Sequence, residues 1–256
     1  MIKKKDSNTE YHSHDSISAS GLKTIYKKSV FHYLNKDKYV STPAMNFGSA
    51  VHSVLLEPEK KEIMTLPKNL NLRTKKDREY KRQLTEDNKD KIIVSAEEKE
   101  SLDQIIQNTM NNKLANKLLF TLDEIEHSYY GTYKDVPVRI RPDGIKKSRY
   151  IIDIKTCQDA SPRAFRSSIY NYAYHLQACF YSEMLGYNDI HNQFRFIAIE
   201  NKYPYDVAVY SLSDDLIEKG KQAWRLAFKS WQDYIINNKI QGFHWEHINE
   251  DGSHIL

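Results

Sequence analysis

Residues 150–156 read Tyr-Ile-Ile-Asp-Ile-Lys-Thr. Branched and aromatic side chains crowd a helix but suit a pleated strand. Side chains alternate along a strand, so Ile151, Asp153 and Lys155 share one face and Tyr150, Ile152 and Ile154 the other. A carboxylate and an ammonium therefore lie side by side. Upstream, Asp143 closes the strand VRIRPD, and Gly144 with a Lys-Lys-Ser run supplies the turn between. A hairpin of that length sets Asp143 beside Asp153.

Two converging carboxylates without thiolates suit Mg²⁺ or Mn²⁺, which take oxygen ligands. As an ammonium the lysine can hold a metal-bound water and stabilise charge developing on a phosphate, and as a neutral amine it can deprotonate that water. Metal-assisted phosphodiester hydrolysis is the reaction those parts would perform. An Asp–Lys pair on an exposed strand is the plainer reading of the same pattern.

The flanking segments give the architecture. Ser18 or Ser20 caps a helix running through Leu22, Ile25 and Tyr26 toward Tyr33. The Ser41–Pro43 start, with Thr42 as cap and Pro43 in the first turn, opens a helix ending at Leu56. A charge-rich loop and exposed helix occupy 68–91, and Glu97 to Leu119 is helical. Glu126–Tyr133, Val136–Arg141 and Tyr150–Thr156 read as consecutive strands. A long helix from Arg163 to Leu185, stopped by Gly186, precedes strands Gln193–Glu200 and Asp206–Leu212. A last helix runs from Asp214 to Asn237, with Ala223, Ala227, Trp231 and Ile235 on one stripe. This order predicts an α/β fold: a mixed central sheet flanked by helices, with a helical N-terminal portion. Residues 1–13 are expected as a flexible tail and 14–256 as a single domain, helical over 14–122 and catalytic over 123–240.

Charge and cysteines narrow the function classes. The net charge of +4 permits a polyanionic partner without demanding one. Cys157 and Cys179 cannot supply a four-thiolate zinc or iron–sulfur site. No apolar run approaches membrane-spanning length and no apolar leader follows the first lysines, so a cytoplasmic protein without a membrane partner is expected. No GxxxxGK[ST] loop is present, so ATP is not expected as a cofactor.

The segments RPDGI, IIDIKT and YHLQACFY, in that order, resemble the core of the PDDEXK nuclease superfamily as found in RecE-type exonuclease (exonuclease VIII), a recombination exonuclease of phages and prophages. FGSAVHSVLLEPE is similar to that group's histidine-bearing helix, and SISASGL and TPAM to its N-terminal phrases. The resemblance implies a restriction-endonuclease-like fold in which His52, Asp143, Asp153 and the Ile154 carbonyl ligate Mg²⁺, with Mn²⁺ able to substitute. Glu126 would be an accessory carboxylate, Lys155 the catalytic lysine, and Gln177 and Tyr181 a QxxxY motif beside the site. It also implies 5′-to-3′ degradation of linear double-stranded DNA, leaving 3′ single-stranded tails. A homo-oligomeric ring and a single-strand annealing protein are the implied partners.

On a continuous helix Tyr170, Tyr174, Gln177 and Tyr181 line one face, suited to DNA contact or to a buried stripe. Arg73, Lys75 and Lys76 could follow a DNA backbone, and Arg139 and Arg141 could brace the carboxylates or a phosphate. A RecB-like nuclease acting on single strands and a non-catalytic DNA-binding protein of the same fold are the alternatives.

Overall fold

The computed structural model describes residues 1–36, 42–60, 63–71, 73–88, 91–240 and 242–243. Ser41 and the histidines at 244, 247 and 254 lie outside them. Four helices open the chain after a first strand β1 (Ile2–Lys4): α1 (Asn8–Ser13), α2 (Ala19–Lys27), α3 (Val30–Leu34) and α4 (Pro43–Leu56). Strands β2 (Ile63–Thr65) and β3 (Ile92–Val94) bracket α5 (Lys75–Asp87), and α6 (Ala96–Asn111) and α7 (Lys113–Phe120) follow. The strand-rich part comprises β4 (Glu124–Ile125), β5 (Ser128–Tyr133), β6 (Val136–Ile140), β7 (Gly144–Lys146) and β8 (Tyr150–Cys157). Then come α8 (Pro162–Asn171), α9 (Tyr174–Leu185), α10 (Ile190–Gln193), β9 (Phe194–Glu200), β10 (Val207–Tyr210) and α11 (Asp214–Asn237).

β8 is the middle strand of a five-stranded sheet ordered β10-β9-β8-β7-β4. It pairs parallel with β9 and antiparallel with β7, so the sheet is mixed, as expected. The alternation along β8 sorts its side chains into two cores. Ile151 joins Phe194 and Phe196 of β9 under Phe165, Leu176, Phe180 and Trp224 from α8, α9 and α11. Ile152 and Ile154 join Ile197 and Ile199 under Ala50, Val51, Leu55, Leu102 and Ile105 from α4 and α6. Burying a side chain of this size stabilises by about 1.5–3 kcal/mol, so this face assignment fixes the register of β8.

The strands expected at 126–133 and 136–141 form a separate sheet, ordered β1-β5-β6. Residues 1–13, expected as a tail, supply its edge: Ile2, Lys3 and Lys4 pair with Tyr130, Tyr129 and Ser128. Ser7 and Glu10 then form a capping box that starts α1. Glu126 lies outside either strand, with a positive φ of 51° between β4 and β5.

Three expected helices are broken. Ser29 caps α3 by accepting from His32 N, separating it from α2, and Asn112 ends α6 while its side chain accepts from Ala115 N to start α7. The third break has no Gly or Pro behind it. Ala173, fully buried, takes the left-handed conformation (φ 49°) and splits residues 162–185 into α8 and α9. Tyr170 consequently leaves the helical face shared by Tyr174, Gln177 and Tyr181. α11 matches its expected bounds, with Ala223, Ala227 and Trp231 buried, but Ile235 is exposed. α9 packs on α11 at Gly220, where a Cβ would stand 2.5 Å from the His175 carbonyl oxygen. None of the described helices is long and apolar enough to cross a membrane.

Candidate active site

The β7–β8 hairpin pairs Gly144 with Ile152, which sets Asp143 across from Asp153. Asp143 Oδ2 accepts a 2.6 Å hydrogen bond from the backbone N–H of Ile154, locking the carboxylate onto the strand bearing its partner. Asp143 follows Pro142 where the chain passes from the small sheet to the central one, and both acids are buried.

His52 reaches the pair from the other face. α4 crosses β8 near Gly48, where a Cβ would stand 3.3 Å from Thr156 Oγ1, and His52 lies one turn further on. Its Nε2 is 3.2 Å from the Ile154 carbonyl oxygen, and its Nδ1 is 3.6 Å from Asp143 Oδ2 and 3.8 Å from Glu126 Oε1. Glu126 is carried there by its left-handed backbone, a conformation that costs a non-glycine residue about 1–2 kcal/mol. Its N–H donates to the Asp143 carbonyl (3.1 Å), and Arg141 Nε holds its Oε2 at 2.9 Å.

Among the described residues, His52, Glu126 and Asp143 form the group whose ligand atoms all lie within 4.8 Å of one another. One imidazole nitrogen and two carboxylate oxygens, with no thiolate, fit a divalent cation of the Mg²⁺ or Mn²⁺ type. Glu126, expected only as an accessory, is thus one of the three. Asp153, expected as a ligand, stands outside that group; Gln177 Nε2 donates to its Oδ1 at 2.6 Å and Lys155 Nζ forms an ion pair with its Oδ2.

A second lysine completes the cluster. Lys23 Nζ donates to Gln177 Oε1, so Gln177 bridges Lys23 to Asp153. Lys23 and Lys155 also stand over the Tyr174 ring, at 5.1 and 5.0 Å from its centroid. Nothing in the spacing of the acids points to Lys23. The only trace in the sequence is a lysine flanking the buried stripe of α2, formed by Ala19, Leu22 and Ile25. Tyr181, the other half of the QxxxY pair, is buried, and its hydroxyl donates to the Arg141 carbonyl at 3.3 Å. It braces the strand end that leads to Asp143.

The charges in this space shift one another. Burial drives the Asp143 carboxyl up to about 7; the His52 charge opposes the shift and Asp153 adds to it. Burial alone would lower His52, but the Asp143 charge and the hydrogen bond and charge of Glu126 outweigh it and raise the imidazole to about 9. Burial also disfavours the Lys155 ammonium, yet Asp153 and Asp143 hold its pKa above the usual lysine value. Lys155 is therefore a cation at neutral pH, fitted to stabilise negative charge and not to abstract a proton. Lys23 goes the other way, down to about 7, through burial and the neighbouring Lys155.

The residues expected to meet DNA separate. Arg73, Lys75 and Lys76 are exposed at the start of α5, where cations oppose the helix dipole and packing does not require them. Tyr174 faces the two lysines. Arg141 braces Glu126, one of the two roles open to it. Arg139 is buried, and its guanidinium donates to the backbone carbonyls of His14 and Ser16. It ties the segment before α2 to β6 and offers nothing to a DNA backbone, because β6 faces the N-terminal segment on that side.

A mixed sheet whose middle strand carries an Asp–Lys pair, with a second acid just before the neighbouring strand and a helix histidine behind, defines a PDDEXK-type nuclease fold. Residues 18–239 match the PDDEXK-like domain of unknown function (DUF3799), and the chain belongs to that family. Its fold is similar to the crystal structure of a "Putative exonuclease" from Eubacterium rectale, with a TM-score of 0.61 at 13% identity over 96% of this chain and 92% of that one. A phage-related exonuclease from Haemophilus somnus 129PT is similar at 14% identity over 91% of this chain and 100% of its own; its TM-score of 0.35 is too low to bear on the fold. No curated protein matches the chain.

Proposed function

We propose that this protein is a divalent-metal-dependent exodeoxyribonuclease, with Mg²⁺ as its cation, which degrades linear double-stranded DNA from 5′ ends. The observation that carries the hydrolytic part is the convergence of Asp143, Glu126 and His52 beside the Asp153–Lys155 pair. Those residues, with the Ile154 carbonyl nearby, would hold the cation. Such a cation supplies Lewis acidity toward a phosphate oxygen and lowers the pKa of a bound water. Lys155, kept cationic by Asp153 and Asp143, orients the attacking water and stabilises charge growing on the phosphate. Gln177 holds Asp153 for that purpose, and Arg141 holds Glu126.

Polarity, duplex preference, the 3′-tailed product, a ring-shaped homo-oligomer and an annealing partner rest on the resemblance to RecE-type enzymes. The test is digestion of end-labelled linear duplex and closed circular DNA, with Mg²⁺ or EDTA, beside Lys155→Ala. Linear duplex should shorten from its 5′ ends with Mg²⁺ only, circles should survive, and the variant should lose at least a hundredfold in rate. Degradation in EDTA, or full activity of Lys155→Ala, refutes the mechanism. Cutting of closed circles refutes the exonuclease assignment and leaves the metal site standing.

A further inference from the structure

The break at Ala173 does more than end α8. In a continuous helix Tyr172 and Tyr174 would point about 200° apart around the axis. The left-handed residue between them instead lays their rings together, with centroids 5.5 Å apart and planes 25° from parallel. Tyr174 is the fixed member, packed against Phe165 and Phe196 with Lys155 and Lys23 over its ring. Tyr172 is the open member, 59% exposed. The stack thus runs from solvent to the catalytic ammonium.

A stacked tyrosine pair with one exposed member would ordinarily be a neutral surface feature. Here the backbone holds a strained residue to bring them together, and cations lie nearby, with Arg166 paired to Asp215. Lys27 donates to the Asn171 carbonyl beside the stack, and Arg166 and Lys219 lie over the adjacent Tyr170 ring at 5.9 and 5.3 Å. An aromatic face flanked by lysines and arginines, ending at a phosphate-activating cluster, is the chemistry that receives a nucleobase with its attached phosphates.

We propose that Tyr172, backed by Tyr174, is a stacking platform for one unpaired nucleobase of the strand whose phosphate lies at Lys155. The inference rests on the nuclease reading and sharpens it. A base inside a duplex has both faces covered by its neighbours, so the platform takes a nucleotide at a strand end or in a single strand. With an unpaired base on the platform the strand end leaves its complement before hydrolysis, and Tyr172 sets the position of the nucleotide entering the site.

The test needs no turnover. Oligothymidylate carrying 5-iodouracil at its terminal positions is bound with Ca²⁺ replacing Mg²⁺, irradiated, and the cross-linked peptide mapped by mass spectrometry. The cross-link should fall on Tyr172 or Tyr174. Tyr172→Ala should weaken oligothymidylate binding about tenfold, whereas Tyr172→Trp and Tyr172→Phe retain it. Tyr172 is exposed, so all three variants should fold, as checked by circular dichroism. Cross-links mapping elsewhere, or Tyr172→Ala binding as the wild type does, overturn the proposal. A protein that cross-links at Tyr172 without cleaving any DNA with Mg²⁺ would refute the nuclease reading alone. One that cleaves DNA equally well as Tyr172→Ala would refute the platform alone.

Discussion

Gln177→Leu isolates the bridge between Lys23 and Asp153. The leucine has nearly the volume of the glutamine, so α9 keeps its packing, and only the amide is lost. The 2.6 Å hydrogen bond to Asp153 Oδ1 has a charged acceptor, which is worth about 1.5–3 kcal/mol. Asp153 is 1% exposed, so water cannot readily replace that donor, and the orphaned lone pair adds about 1 kcal/mol or more. Lys155 remains paired with Oδ2, which keeps the loss below the 3–5 kcal/mol expected for a fully unpaired buried charge. The net expectation is a destabilisation of about 2–3 kcal/mol. Urea unfolding at neutral pH in EDTA measures it, as a lower midpoint with unchanged slope. In the nuclease assay the freed carboxylate lets Lys155 drift, and a displacement of an ångström costs about a hundredfold in kcat. A variant that unfolds at the wild-type midpoint and cleaves at the wild-type rate would show that Gln177 does not hold Asp153.

The titration of the site gives a pH prediction. His52 is raised to about 9, so its contribution to stability is complete below its unfolded value near 6.5 and is lost as pH rises through 9. Asp143, raised from 3.8 to about 7, loses its contribution earlier, as pH rises from about 3.8 through 7. The metal-free protein should therefore melt at lower temperature at pH 9.5 than at pH 6.5. Cation binding needs both groups deprotonated, so the rise in Tm caused by Mg²⁺ should grow over that window; a pH-independent increment would exclude His52 and Asp143 as ligands. Gly220→Ala puts a methyl 2.5 Å from a backbone carbonyl, forcing α9 and α11 apart at a cost of about 1–3 kcal/mol in urea unfolding. An unshifted midpoint would mean that the two helices yield without cost. Arg139→Leu should destabilise by about 2–4 kcal/mol through the abandoned carbonyls of His14 and Ser16, while DNA affinity of the folded fraction is unchanged. A selective loss of DNA binding would restore Arg139 to the DNA surface.

The strand at 150–157 shows what a sequence can settle alone. Its alternation is local, and the two-residue period decides which side chains meet which core whatever the rest of the chain does. The same holds for Thr42 and Pro43 at the head of α4, and for α11, whose apolar stripe and start signal lie within the helix itself. Asp143 opposite Asp153 follows from hairpin length. Those features make the acid–lysine pair and the mixed sheet legible in the sequence.

Other features depend on what packs against what. The left-handed turn at Ala173 has no Gly or Pro to announce it; it exists because α8 and α9 must both close over β8 and β9. Glu126 joins His52 and Asp143 only because the chain leaves β4 by a left-handed residue held to Asp143. Nothing in the sequence sets Lys23 apart from a surface cation or shows Arg139 buried, and burial against distant partners brings one to the candidate active site and makes the other a structural tie. Periodicity records the face a residue occupies, whereas the identity of the neighbour on that face is a long-range property that the chain acquires only on folding.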